Sequence, residues 1–168
     1  SESEVNDLMN LFRAFLDQGL SKLIQEKIRL KFIGNRKALP DDLQEKMQKA
    51  EELSNDHENF TVVMAISYGA KDSIREAALR MTQYILENKL LPEELNAKLF
   101  DQFLETYQFP APDLLIRTGG EYRLSNFLLW ELDYAEMYFT EKLWPDFNES
   151  DLDEAISDFV TRKRNYGR

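Results

Sequence analysis

The residues best suited to chemistry lie between Asp113 and Glu136, in the string DLLIRTGGEYRLSNFLLWELDYAE. Arg117 and Arg123 flank a Gly119-Gly120 pair, and Ser125 follows two residues after the second arginine. A guanidinium is a planar fork that meets a phosphate with paired hydrogen bonds. A serine hydroxyl adds a donor, and adjacent glycines can take positive φ and turn their amides toward one point. Together these groups suit a phosphate or diphosphate. Glu136 is a hard oxygen ligand of the kind that shares a Mg²⁺ with a diphosphate. Taken alone, Arg-Thr-Gly-Gly is equally consistent with a surface turn bearing solvated arginines.

The elements around this stretch must position it. Leu114-Leu115-Ile116 is an apolar run of strand length that ends in the Gly-Gly turn. Pro110 and Pro112 break the chain just before it, and Met137-Tyr138-Phe139 reads as a further short strand. At the start, Ser1 and Glu4 have capping-box spacing. Val5, Leu8, Met9, Leu11, Phe12, Phe15 and Leu16 then recur at helical spacing over an unusually wide face. Helix is expected to resume over Leu20–Lys27 after Gly19. Ile28–Ile33 alternates and meets Gly34-Asn35, a strand and a turn. Pro40 opens a helix with Leu43, Met47, Ala50 and Leu53 as its apolar stripe.

Phe60–Ile66 (FTVVMAI) reads as a central parallel strand buried on both faces. Ser67–Lys71 follows it as a tight turn into a helix carrying Ile74, Ala77, Ala78, Met81, Ile85 and Leu86. Its place at a strand's carboxyl end is where ligands gather in open α/β sheets. Pro92 starts another helix with Leu95, Leu99, Phe103 and Leu104 inward. Trp144–Phe147 is a turn with two aromatics, for core or for a subunit surface. Ser150 caps a last helix, with Arg162, Lys163 and Arg164 in its final turn. The alternation predicts an α/β fold: one domain over 1–168, a mostly parallel central sheet with helices on both faces.

Composition removes several classes. With 168 residues the chain suffices for one domain with a core. It has no cysteine, so disulfides and thiolate metal sites are excluded. The one histidine, His57, lies in the polar string SNDHENF and is expected to be solvated. A formal charge of −10 argues against nucleic acid as partner. An anion site must then be a local concentration of arginines. No apolar run approaches the roughly 20 residues of a membrane span, and no leader is visible, so a cytoplasmic protein is expected.

RTGGEYRLSNFLLW, then YAEMYF, then LWPDF, resembles the C-terminal signature of the cis-prenyltransferases, the family of bacterial undecaprenyl diphosphate synthase. The resemblance implies condensation of isopentenyl diphosphate onto an allylic diphosphate such as farnesyl diphosphate, with Mg²⁺. The expected product is a polyprenyl diphosphate lipid carrier for cell-wall (peptidoglycan) synthesis. It implies that Arg117, Arg123, Leu124 and Ser125 bind the isopentenyl diphosphate and that Glu136 contributes to the Mg²⁺ site. EVNDLMNLF matches the family's tunnel-lining helix, so the wide face of the first helix is either core or tunnel wall. A homodimer and a peripheral membrane contact for product release are also implied.

Some family features depart or are missing. The family's Asn-Tyr-Gly-Gly-Arg loop here reads Ser67-Tyr68-Gly69-Ala70-Lys71, and its closing Arg-x-Gly reads Asn165-Tyr166-Gly167. The resemblance spans the later two-thirds of the family's chain. The family's Met-Asp-Gly-Asn motif, which carries the principal metal-binding and catalytic Asp, is not in this sequence. No residue present is therefore expected to be the catalytic one, and the chain alone is expected to be an incomplete, inactive enzyme. The alternative is a non-catalytic diphosphate-binding subunit or fragment.

Overall fold

The computed structural model describes residues 1–163. The chain forms two compact units, Ser1–Tyr68 and one beginning at Gly69. Each contains a pair of parallel strands with helices, so the α/β class and the parallel pairing agree with the sequence reading. Among the described residues no helix is long and apolar enough to cross a membrane. The Asn165-Tyr166-Gly167 triplet, Arg164 and Arg168 lie outside the described residues.

In the first unit, α1 (Glu2–Ala14) begins with the expected capping box of Ser1 and Glu4. Gly19 does not interrupt the helix. The chain passes through a π-helical turn, Phe15–Gly19, straight into α2 (Leu20–Gln25). A Cβ on Gly19 would meet the Phe15 ring at 3.0 Å, so the small residue lets that ring lie against the turn. Lys27, at φ 53°, then ends the helix.

The strands β1 (Ile28–Ile33) and β2 (Phe60–Ala65) pair in parallel, Ile28 opposite Phe60 and Ile33 opposite Ala65. Between them, α3 (Asp41–Ser54) buries Leu43, Met47 and Ala50. Leu53 is exposed, and Ser54 takes the buried place one residue on. The Ser54 hydroxyl accepts from the Leu30 amide at 3.0 Å and donates to the Ala50 carbonyl at 2.8 Å. Glu51 accepts from the Phe32 amide at 2.9 Å. Two side chains of α3 thus satisfy alternate amides on the edge of β1 away from β2.

The core gathers Phe12, Leu16, Leu20, Leu30, Phe32 and Met47, with the Phe12 and Phe32 rings edge to face at 6.0 Å. Only part of the α1 face joins it; Val5, Leu8 and Leu11 are exposed. β2 also differs from expectation. Phe60 and Thr61 are exposed and Val62–Ile66 only half-buried. Among the described residues β2 pairs with a strand on one side alone. His57 is half-buried rather than solvated, its Nδ1–H donating to the Ile28 carbonyl at 3.1 Å.

In the second unit, α4 (Ala70–Asn88) buries Ala70, Ser73 and Ala77, with Ile74, Met81 and Ile85 half-buried; Ala78 and Leu86 are exposed. Pro92 opens a single 3₁₀ turn instead of a long helix, because Asn96 caps a new start, its Oδ1 accepting from the Leu99 amide at 2.9 Å. The helix that follows is α5 (Ala97–Asp101). β3 (Leu114–Arg117) and β4 (Glu136–Phe139) pair in parallel, with Leu114 opposite Glu136 and Arg117 opposite Phe139. Trp144–Asp146 is a 3₁₀ turn whose tryptophan stacks on Phe147 and stays largely exposed, so it is not core of this unit. Asn148, not Ser150, caps α6 (Glu149–Thr161), in a box with Asp151. Its Oδ1 accepts from the Ser150 amide at 3.0 Å.

Candidate functional site

Arg117 is the last residue of β3, so the strand delivers it to the carboxyl end of the pair. Its Nη1 donates to the Arg123 carbonyl at 2.5 Å, which folds residues 118–123 back over the strand end. Arg123 is exposed and ion-paired with Glu121 two residues before it. Leu124 is half-buried and Ser125 exposed. Ser125 and Asn126 both take left-handed backbone, at φ 48° and 62°. One loop therefore brings Arg117, Arg123, Leu124 and Ser125 together.

The two glycines behave only partly as expected. Gly119 and Gly120 do take positive φ, 84° and 69°. Their amides do not converge on an open point. Gly119 N–H donates to the Lys142 carbonyl at 2.8 Å and Gly120 N–H to the Thr140 carbonyl at 3.0 Å. The reason is the parallel pairing: the chain leaving β4 runs beside the chain leaving β3, and it takes up those donors first. Tyr122 strengthens this junction, its hydroxyl donating to Glu141 Oε1 at 3.0 Å and its ring 5.3 Å from that of Phe139. The hydrogen bond to Glu141, then the charge of that carboxylate, push the Tyr122 phenol above its ordinary range. The groups this loop leaves for an anion are therefore guanidinium and hydroxyl rather than the glycine amides.

Glu136 stands apart from the arginines. It opens β4 opposite Leu114, three register positions before the Arg117–Phe139 pair. That is about 10 Å along the strand. Its Oε2 accepts from Arg162 Nη1 at 2.9 Å. The same guanidinium donates to the Met137 carbonyl at 2.9 Å and to Asp158 Oδ2 at 2.5 Å. The Glu136 carboxylate, then that of Asp158, hold Arg162 firmly protonated. Among the described residues no group of three or more histidines and carboxylates gathers to hold a metal. A single half-buried carboxylate fits Mg²⁺ as one ligand of an ion completed by substrate oxygens and water.

Two residues have roles that the sequence alone does not show. Arg162 reads there only as a cation near a helix end, because its partner lies 26 residues away. Asn126 reads there as a plain neighbour of Ser125. Its Oδ1 accepts from the Lys71 amide at 2.8 Å, and its carbonyl accepts from the Ala70 amide at 2.8 Å. It thereby satisfies two of the unpaired amides at the start of α4. The tolerance of Asn for left-handed backbone and its aptitude for capping were the available signals.

Fold and loop together describe an α/β protein that presents two arginines and a serine from one turn at the carboxyl end of a parallel strand. Comparison with known proteins assigns the family. The family described as "Putative undecaprenyl diphosphate synthase" matches residues 1–167. The ditrans,polycis-undecaprenyl-diphosphate synthase ((2E,6E)-farnesyl-diphosphate specific) of Legionella pneumophila strain Paris is 43% identical over 166 residues, 99% of this chain and 70% of that protein. The isoprenyl transferase of Chlamydia caviae is 42% identical over 168 residues, 100% of this chain and 67% of its own.

Among solved structures, lavandulyl diphosphate synthase from Lavandula x intermedia, in complex with dimethylallyl diphosphate, superposes with a TM-score of 0.96 at 39% identity. It is covered over 73% of its length and this chain over 100%. A probable undecaprenyl diphosphate synthase from Campylobacter jejuni gives 0.86 at 36% identity, covering 100% of this chain and 76% of that one. The chain belongs to the cis-prenyltransferases, a family of transferases.

Proposed function

We propose that the protein condenses isopentenyl diphosphate onto an allylic diphosphate, farnesyl diphosphate first, to make a polyprenyl diphosphate carrier for cell-wall synthesis. The observation that carries this reading is the single loop holding Arg117, Arg123, Leu124 and Ser125 at the end of β3. The names of the Legionella and Chlamydia relatives support the chemistry. The dimethylallyl diphosphate in the lavandulyl enzyme supports an allylic partner.

In this reading Arg117 and Arg123 grip the isopentenyl diphosphate and Ser125 adds a hydroxyl donor, so the double bond is held facing the allylic carbon. The Arg123–Glu121 pair is exposed, a kind of contact that contributes at most about 1 kcal/mol. A doubly charged diphosphate therefore displaces that carboxylate readily. The allylic carbon–oxygen bond breaks with its electron pair leaving on diphosphate. The isopentenyl double bond forms the new carbon–carbon bond, and loss of a proton restores a double bond. Glu136 is the residue that would hold Mg²⁺, which neutralises charge on diphosphate when bound. The exposed Val5, Leu8 and Leu11 of α1 offer apolar surface to a prenyl tail. Residues 1–168 act as part of one catalytic domain, which works as a cytoplasmic homodimer and meets the membrane only to release product.

The test is incubation with isopentenyl diphosphate, farnesyl diphosphate and Mg²⁺, with products read by mass spectrometry. For the protein carrying the family's Met-Asp-Gly-Asn segment, products longer than farnesyl diphosphate by whole isoprene units are expected; residues 1–168 alone, which lack that motif, are expected to yield none. A second reading is a non-catalytic diphosphate-binding subunit or part of such an enzyme. It draws on the engagement of Glu136 by Arg162, three register positions from Arg117. Binding of isopentenyl diphosphate without any product, together with a rate increase on mixing with a catalytic relative, would select it.

A further inference from the structure

We infer that Asn126 is a positioning residue for the diphosphate-binding loop, and that Gly69 is glycine because the Asn126 amide occupies the space a side chain would need. The inference rests on the functional reading above.

Ser125 and Asn126 are consecutive non-glycine residues in left-handed backbone, at φ 48° and 62°. Asparagine tolerates this backbone but serine does so poorly, so something must hold Ser125 there. Asn126 does so with both of its acceptors. Its main-chain carbonyl takes the Ala70 amide at 2.8 Å and its side-chain Oδ1 takes the Lys71 amide at 2.8 Å. These amides are the first two of α4, a 19-residue helix and therefore a rigid anchor. A hydroxyl aimed at a diphosphate needs its backbone fixed, and Ser125 is one peptide bond from this anchor.

The opposing surface is shaped to match. A Cβ on Gly69 would lie 2.7 Å from Asn126 Nδ2, while its next neighbour, Asp72 Oδ2, is at an ordinary 3.5 Å. Gly69 has φ −146° and ψ 124°, extended backbone that alanine adopts freely. The obstacle to alanine is thus the Asn126 amide and not the backbone. Each residue accordingly supplies a probe of the other.

The experiment measures isopentenyl diphosphate affinity by titration calorimetry for the unsubstituted protein, Gly69→Ala, Asn126→Gly and the double variant. Glycine at 126 keeps the left-handed backbone and the main-chain carbonyl while deleting the side-chain latch. Each single variant is expected to bind about tenfold more weakly, since loss of the anchor lets Ser125 leave its place. The double variant is expected to bind no more weakly than Asn126→Gly, because the clash has no partner once the amide is gone. Single variants within about twofold of the unsubstituted protein would overturn the inference, as would losses that simply multiply. Thermal melts of all four proteins separate a loss of folding from a loss of affinity. If the unsubstituted protein does not bind isopentenyl diphosphate at all, the functional reading fails and this inference with it.

Discussion

Gly119 and Gly120 sit side by side at positive φ, yet a side chain is opposed differently at each. At Gly119 a Cβ would meet nothing within 4 Å, so only the left-handed backbone argues for glycine. At Gly120 the Cβ would fall 2.4 Å from Glu141 Oε2, the carboxylate that accepts from Tyr122. Gly119→Ala should therefore cost about 1–2 kcal/mol, the usual penalty for left-handed alanine. Gly120→Ala should cost more, since Glu141 must move and release Tyr122. Urea unfolding of both variants checks this. Adding Glu141→Ala to Gly120→Ala should remove the clash, leaving the melt near that of Glu141→Ala plus the backbone penalty alone. Equal costs at the two glycines would show that the Glu141 contact is irrelevant.

At the scale of elements, contacts between helices and strand edges decide the architecture. Ser54 reaches from α3 to the Leu30 amide of β1, and both groups are buried. Ser54→Ala would orphan that amide, at a cost of about 1–3 kcal/mol in thermal or urea unfolding. Arg162 ties the end of α6 to the start of β4 through Glu136 and Met137. Arg162→Gln should lower the melting temperature, and a melt unchanged within error would deny the tie any structural role. Neither contact was legible in sequence, for the same reason. Periodicity counts apolar residues, and Ser54, although it lies on the same helical face as Leu43, Met47 and Ala50, is polar. Polar side chains that seal a strand edge leave no periodic signal. The strands themselves were legible, since Ile28–Ile33 alternates and Leu114–Ile116 is an apolar run, and each leads into a glycine-bearing turn. The loop residues Arg117, Arg123 and Ser125 were legible because the signature keeps them within nine positions of one another. The fate of the glycine amides was not, because their acceptors, Thr140 and Lys142, come from a different part of the chain.

For the molecule as a whole, pH should act through a few paired groups. The Arg13 guanidinium holds Asp42 below its ordinary value of 3.8, joining α1 to α3 in the first unit. Lys142, then the Asn148 amide, do the same for Asp151 in the second. A carboxyl lowered on folding adds stability above its ordinary pKa, and that stability is lost as pH falls through the lowered value. Tyr122 and Tyr138 are raised above 10.0, the first mainly by Glu141 and the second mainly by burial. A phenol raised on folding adds nothing to the pH dependence below 10.0, and costs stability as pH climbs past that value, where the unfolded chain ionises first. Urea melts should thus be flat through neutral pH and fall at both extremes. Asp42→Asn or Asp151→Asn should flatten the acid limb; an unchanged acid limb in both would show that these pairs do not contribute.

The proposal that this loop binds diphosphate is tested most directly by the affinity of the protein for isopentenyl diphosphate, measured by calorimetry with Arg117→Ala and Arg123→Ala beside it. Charge-assisted contacts to a bound anion are worth about 2–5 kcal/mol when truncated. Each substitution is therefore expected to weaken binding by that amount with little change in melting temperature. A loss below about 0.5 kcal/mol for both would mark them as solvated surface arginines and contradict the assignment of this loop.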